Sequence, residues 1–567
     1  EFALTLAGAV LVSGFVALTL TPMMCSKLLR HNPNPTRIAA AIERAFLAFE
    51  RGYRRWLTAS LRVRPLVIGL AILVAGLSAV FFVSLRSELS PVEDRGVINI
   101  RGTAPEGATV AFTNRYAQQI GSLVSEIPEV ASTLIIVGAP QVSNLILIGR
   151  LTDWSVRDRK QQSMVAEVSP KLRRIPGVLA FAQNPPSLGV HPSSRPIEFV
   201  IMTTGSYADL QGYVDKILDR LEDSPILTNL DTDLKLNKPE FRVEIDRTKV
   251  ADLGLDVSVV GRTLETLLGG RQVTRFEMNG RQYDVYVQLA VEDRASPSTL
   301  STVFLRGPKG DMIQLSNIVQ IRESVAPREL KRFNQMRSVT ILGNIGPGYA
   351  LGDGLAELER VAGEVLPSTV QTDVTGQSRE YRAAGSSMLF IFVLALGFIY
   401  LVLSAQFESF RDPVIILLAV PLTMTGALAA LYFSGGTLNV YSQIGLITLV
   451  GLITKHGILI VEFANQQQLR GKNRIEAVIE AASLRLRPIM MTTGAMVLGA
   501  VPLALAAGAG AESRHQIGWV VVGGLSFGTV LTLFVIPTVY SYLGAQHHST
   551  QQEIAGDVAQ AHQRPAE

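Results

Sequence analysis

The chain has 567 residues, of which 48% are hydrophobic and 18% charged, and a net charge of +4. With a mean hydropathy of +0.28, the apolar and the charged stretches must be segregated, which excludes both a bare membrane bundle and a uniformly water-soluble fold. One cysteine, Cys25, excludes disulfides in any outer domain and a cysteine-rich metal centre.

Seven runs reach the roughly 20 residues that a helix needs to cross hydrocarbon. They are Phe2 to Leu20, Leu66 to Val83, Met388 to Ala405, Pro413 to Phe433, Leu438 to Phe463, Ile489 to Ala507 and Ile517 to Leu543. The first begins without an initiator Met or a basic n-region and no A-x-A cleavage site closes it, so a signal peptide is not expected. Its end, Leu18 to Pro22, echoes Leu533 to Pro537 of the last run, which points to a duplicated unit and to a fragment. Coincidence of two Pro-containing helix ends is the alternative, and on this echo alone the stronger one.

Between the first two runs lie Lys27, Arg30, Arg37, Arg44, Arg51, Arg54, Arg55, Arg62 and Arg64, against Glu43 and Glu50. Positive charge near span ends marks the cytoplasmic side. Alternation then puts Leu85 to about Arg382 outside and the tail after Leu543 inside. Arg470, Lys472, Arg474, Arg485 and Arg487 agree. The pI of 9.1 therefore reflects topology, and nucleic acid is not an expected partner. Within that first link, Ile38, Ile42, Phe46, Phe49, Tyr53 and Trp56 recur at spacings of four and three. Such an amphipathic helix suits an anionic leaflet or the flank of neighbouring spans, and both readings stay open.

The outer segment alternates between strand-like and helix-like patterns. Gly96 to Gly102, Thr109 to Glu126, Ala131 to Val137, Asn144 to Leu151, Arg159 to Arg174 and Gly177 to Ala182 read β-α-β-β-α-β, the order of a split βαβ, or ferredoxin-like, unit. A second unit starts at Pro196 to Met202, Tyr207 to Glu222 and Leu227 to Leu234. It is completed only at Ser338 to Ile345, Leu351 to Val365 and Val370 to Val374. The insertion between holds a strand at Glu240 to Ile245, a helix at Val257 to Leu268, a hairpin predicted from Asn279-Gly280, and short strands over Val303 to Ile321. It reads as a docking module or a structural elaboration.

No phosphate-binding G-x-x-x-x-G-K-S/T loop is present, so no ATPase resides in the chain, and neither an enzymatic site nor a cofactor is expected. The polar chemistry lies in the last spans. Lys455 falls near the middle of its run, where a charge costs about 2.5–3.5 kcal/mol on insertion scales and normally faces a carboxylate or a wet cavity. Snorkelling would demand a reach of about 10 Å along the helix. Thr448 lies two turns earlier on nearly the same face; Arg485, Arg487 and Thr492 mark the next span's entry. Positive-inside anchoring accounts for Arg487, and boundary solvation for Glu462.

Leu20 to Cys25, Gly451-Leu452-Ile453-Thr454-Lys455-His456-Gly457 through Ala464, and Arg485-Leu486-Arg487-Pro488 through Thr492 closely resemble the resistance-nodulation-division (RND) transporters, in the hydrophobe/amphiphile efflux branch of acriflavine-resistance type. The resemblance runs from Phe2 to Leu543 and covers the second half of such a protein plus the last span of its first half. It implies a membrane α-helical bundle, seven spans in this fragment, with a periplasmic α+β domain of ferredoxin-like βαβ porter subdomains and an inserted docking module. Residues 1–22 would be the last span of the first repeat, 23–64 a cytoplasmic link, 65–85 a span and 86–190 the first porter subdomain. Residues 191–230 and 322–380 would form the second porter subdomain, 231–321 the docking insertion, 383–543 five spans and 544–567 a disordered tail.

What the resemblance implies functionally is a proton-driven, homotrimeric exporter of small amphiphilic compounds in the Gram-negative inner membrane, working with a periplasmic adaptor and an outer-membrane channel. The relay would be Lys455, Arg485 and Thr492 facing an aspartate pair absent from this chain, so these residues alone should not pump. The substrate pocket would include Leu134, Ile136, Gln141, Ile148 and Phe181. The loop Gly138 to Asn144 has no aromatic residue, and Leu134 and Ile148 are aliphatic where relatives often carry aromatic ones, which reduces stacking on flat drugs. Two other classes stay in view. One is an ABC-type permease with a separate ATPase, disfavoured by Lys455 and the six spans after the opener; the other is a non-transporting scaffold or sensor. A heavy-metal RND exporter is disfavoured by the scatter of Met164, Met202, Met278, Met312 and Met336.

Overall fold

The computed structural model describes residues 2–28, 37–188, 195–294 and 296–546. Three helices open the chain: α1 (Phe2–Leu28), α2 (Arg37–Ser60) and α3 (Arg64–Ser84). Wherever its side chains are described, α1 is exposed. α2 buries Tyr53 and Leu57 against α14 (Arg474–Ala504) and α15 (Ala511–Leu543), and the Tyr53 hydroxyl donates to the Leu533 carbonyl at 2.6 Å. Burial pushes that phenol well above its ordinary pKa. On the flank of the same helix, Ile42, Phe49 and Trp56 stay exposed, Trp56 by 72%. Part of the apolar stripe therefore packs on the spans and part is free to meet lipid.

The first outer unit comprises β1 (Val97–Thr103), α4 (Val110–Ser125), β2 (Val130–Val137), β3 (Asn144–Leu151), α5 (Gln161–Leu172) and β4 (Leu179–Gln183). Its antiparallel sheet has the order β2-β3-β1-β4, so β3 lies between the two strands that α4 connects. α4 is capped by Thr109, whose hydroxyl accepts from Phe112 N at 3.2 Å. Alternation along the strands sends Ile98, Ile100, Leu145 and Leu147 under the helices and leaves the other sheet face open.

The second unit takes β5 (Ile197–Thr203), α6 (Tyr207–Leu221) and β6 (Leu227–Thr232) from before an insertion. β13 (Arg332–Phe333), β14 (Met336–Ile345), α9 (Leu351–Val365) and β15 (Gln371–Val374) come from after it. Its sheet order is β13-β14-β5-β15, with β6 also on β14. The insertion holds β7 (Lys238–Ile245), α7 (Arg247–Asp252), α8 (Val257–Leu264), β8 (Arg271–Met278), β9 (Arg281–Val287), β10 (Phe304–Arg306), β11 (Met312–Gln314) and β12 (Val319–Ala326). It has its own small core around Val250, Val260 and Leu315. The β8–β9 hairpin turns through Asn279 (φ 54°) and Gly280 (φ 71°), the left-handed pair that a primed two-residue turn requires.

The bundle is completed by α10 (Gly376–Phe407), α11 (Arg411–Leu417), α12 (Ala419–Phe433), α13 (Val440–Leu469), α14 and α15. Among the described residues seven helices are long and apolar enough to cross a membrane. Their bounds depart from the apolar runs at several ends, and three of these departures have a local cause. α10 begins twelve residues before Met388, winding directly out of β15. The run from Pro413 breaks at Leu418, between α11 and α12, because Pro421 has no N–H for the Leu417 carbonyl. α14 begins at Arg474 and not at Ile489, since its first turns bury only Ala477, Val478, Ala481 and Ala482 on one side and so carry no continuous hydropathy signal.

Candidate functional site

α13 starts on a reciprocal cap. Asn439 Oδ1 accepts from Tyr441 N at 3.0 Å and from Ser442 N at 3.1 Å, while Ser442 Oγ accepts from Asn439 N at 2.8 Å. From this anchor the helix buries Leu446, Leu449, Ile453, His456 and Ile460 toward α12, α14 and α15. Lys455 sits on the opposite, exposed face, with Gly451 one turn before it, where an added Cβ would meet nothing within 4 Å. Among the described residues Lys455 makes no hydrogen bond or ion pair. An ammonium in the middle of a span is thus presented on a face that this chain leaves uncovered.

The neighbouring helix places the other two relay candidates. Thr492 donates to its own helix, at the Pro488 and Ile489 carbonyls, 3.0 and 3.1 Å away. Next to it Thr493 Oγ1 is hydrogen-bonded to His456 Nε2 at 3.0 Å, so Lys455 and Thr492 stand at one depth. Arg485 lies seven residues earlier, about 10 Å along α14. Its guanidinium rests over the Phe463 ring at 4.5 Å, and its buried Nε has no hydrogen-bond partner among the described residues. Lys455 and Thr492 are therefore brought level, whereas Arg485 is held two turns away. Arg487 pairs with Glu43 on α2 and stacks over Phe46 at 4.7 Å, an anchoring contact between helices.

In the outer region, register puts Ile136, Ile146, Arg101 and Phe181 in one row across the open sheet face, and Leu134, Ile148 and Asn99 in the next. Leu134 is 56% exposed and Ile136 37%. Phe181 and Gln141 line a cleft of about 270 Å³ between the two units, but Leu134, Ile136 and Ile148 do not. The cleft is polar. Arg195 covers the Phe181 ring at 4.5 Å, Gln141 Nε2 donates to Glu329 Oε1 at 2.8 Å, and Arg328 bridges to Glu106 at 2.9 Å. Burial pushes the Glu198 carboxyl up; burial, followed by their mutual repulsion in the case of Arg101, lowers Arg101 and Arg195. A second, larger cavity of about 770 Å³ also reaches Phe181 and is lined by Pro185, Tyr349 and Leu351 among others. An apolar cavity of about 420 Å³ lies between α3, α10, α12 and α13.

Sequence reasoning passed over two buried polar groups, His456 and Asp412. His456 is adjacent to Lys455 and is one of seven histidines in the chain, with no spacing that sets it apart. Asp412 immediately precedes Pro413, where the apolar run begins, and an acid at the edge of such a run is its one local signal. Among the described residues no group of His, Cys, Asp and Glu is arranged to hold a metal ion.

Comparison with known proteins agrees with this architecture. The chain is 41% identical over 556 residues to a protein of Haemophilus influenzae described as an uncharacterized transporter, covering 96% of the chain and 54% of that protein. It is 31% identical over 571 residues to the antibiotic efflux pump membrane transporter ArpB of Pseudomonas putida, covering 98% of the chain and 54% of that protein. The chain thus spans about half the length of these curated relatives. A family model described as the AcrB/AcrD/AcrF family matches residues 1–544, and the chain belongs to that family of membrane transporters.

Proposed function

We propose that the chain is part of a proton-driven antiporter of the RND class, which exports amphiphilic compounds from the Gram-negative inner membrane as the pump of a tripartite assembly. The two outer units act as ferredoxin-like porter subdomains in the periplasm, the insertion docks an outer-membrane channel, a periplasmic adaptor completes the assembly, and three copies associate. The observation that carries this reading is Lys455, exposed in mid-span on an uncovered face and level with Thr492. A carboxylate brought to that face by the remainder of the transporter would hold the ammonium when ionised and release it when protonated. Two proton-dependent arrangements of α13 are what a gradient needs to bias a cycle. In this scheme Thr492 and Arg485 are the α14 groups on the proton's route. Phe181 and Gln141, in the cleft between the units, meet substrate, with Leu134, Ile136 and Ile148 extending an apolar surface beside it.

The test is ethidium and detergent efflux in a pump-deficient Gram-negative host, with the full-length gene expressed as wild type and as Lys455→Ala alongside adaptor and channel. Loss of gradient-dependent efflux at equal expression is expected. Full activity in the variant would remove the relay, and a silent wild type would remove the substrate assignment.

A further inference from the structure

Asp412 stands in the first turn of α11, at the cytoplasmic end of the bundle, and is completely buried. Its Oδ2 accepts from Asn465 Nδ2 on α13 at 3.0 Å; its Oδ1 has no partner among the described residues. Asp94, also buried, in the first outer unit, shows what a paired carboxylate in this chain is given: the Arg157 guanidinium and the backbone N–H groups of Gly96 and Gln161. Asp412 has one neutral amide. Buried carboxylates are ordinarily paired or neutral, because an unpaired ion loses its hydration without recompense.

The surroundings extend this site to the surface. Asn465 Oδ1 accepts from the Tyr540 hydroxyl at 2.5 Å, Tyr540 accepts from Gln468 Nε2 at 2.6 Å, and Gln468 also reaches the Ala545 carbonyl beyond α15 at 3.1 Å. Few charged or titratable groups face it. α15 brings Tyr540, and α10 brings Tyr400, whose hydroxyl donates to the Phe410 carbonyl at 3.3 Å. Arg474 at the start of α14 donates to the carbonyls of Ser541 and Tyr542 at 3.4 and 3.1 Å. Glu408 and Arg411, beside Asp412 in sequence, are exposed, and Glu462 on α13 holds Gln466 at 3.0 Å.

Resting on the proton-driven reading above, we propose that Asp412 is a further proton-carrying carboxylate of the transport cycle, on the cytoplasmic side of the bundle and separate from the Lys455 face. One proton passes from water to Oδ1 to give the neutral acid and is held there while α11, α13 and α15 are closed around it. The same proton leaves to cytosolic water when they part; only the O–H bond forms and breaks. The closed site gives the carboxyl a single amide donor, and parting of the helices would admit water to Oδ1, which ties release of the proton to that movement.

The experiment is substrate-dependent proton flux, with ethidium as substrate, in vesicles holding the full-length transporter and an internal pH dye. Asp412→Asn keeps the shape and an acceptor for Asn465 but carries no proton, so a loss of about tenfold or more is expected at unchanged thermal stability. Asp412→Glu should recover most of the flux and shift its pH profile. Wild-type flux in Asp412→Asn at every pH overturns the proposal, as does equal failure of both variants with lowered thermal stability, which would make Asp412 structural. Lys455→Ala separates the two readings. If it is inactive while Asp412→Asn works, Asp412 alone is eliminated; if Lys455→Ala keeps full flux, the relay reading falls and this proposal with it.

Discussion

His456 Nε2 and Thr493 Oγ1 share a hydrogen bond of 3.0 Å in the buried centre of the bundle, one residue from Lys455 and one from Thr492. The bond sets the register of α13 against α14, so the depth of the exposed lysine is decided by a contact on the helix's other side. His456→Leu removes it and leaves the Thr493 hydroxyl with Thr529 at 3.5 Å. The expected cost is about 1–3 kcal/mol for the stranded polar group, read as a lowered thermal midpoint of the purified transporter. His456→Gln, which can still reach the hydroxyl, should recover most of it. Equal losses in both variants would show that ring packing, and not the bond, matters.

The first outer unit should be acid-labile through one residue. Burial opposes ionisation of Asp94, but hydrogen bonds from Arg157, Gln161 N and Gly96 N outweigh it and hold the carboxyl below its usual range. A depressed carboxylate contributes stability above its unfolded pKa of about 3.9, and this is lost as pH falls through the folded value. Trp154 Nε1 donates to the same Asp94 oxygen at 3.1 Å and so reports on it. The fluorescence change on acidification should disappear in Asp94→Asn. Arg157→Ala, which strands a buried acid, should cost about 3–5 kcal/mol at neutral pH; an unaltered urea midpoint in that variant would refute this account of the site.

Close helix approach in the bundle depends on Gly426. A Cβ at this position of α12 would lie 2.5 Å from Phe527 Cβ and 2.8 Å from the Gly523 carbonyl oxygen on α15. Backbone leaves no room to yield, so Gly426→Val must push the two helices apart, at about 1–3 kcal/mol or more. The yield of monodisperse protein in detergent should fall sharply. Gly494→Ala, where an added Cβ meets nothing within 4 Å, should leave it unchanged.

How far the sequence could be read differs between elements. The seven long helices among the described residues, the Asn279-Gly280 hairpin and the succession of helices and strands along the first unit follow from patterns within a few residues: continuous hydropathy, two positive-φ residues, period-two alternation. The extension of α14 back to Arg474 did not, because its early turns are apolar on one side only. Lys455 stood out because a charge inside an apolar run is a local anomaly. His456 did not, since a histidine is ordinary until Thr493, thirty-seven residues away, is found against it.

By itself the sequence determined which segments are long and apolar enough to cross a membrane, where the arginines cluster between them and that Lys455 interrupts an apolar run. Those are matters of local composition, and hydration free energy acts residue by residue. Only the tertiary structure decided that Lys455 faces outward, that Phe181 and Gln141 share a charged cleft while Leu134, Ile136 and Ile148 lie beside it, and that Asp412 is sealed in with one amide. Each of these depends on contacts between residues far apart in the chain, and a side chain's partner, unlike its polarity, is set by packing.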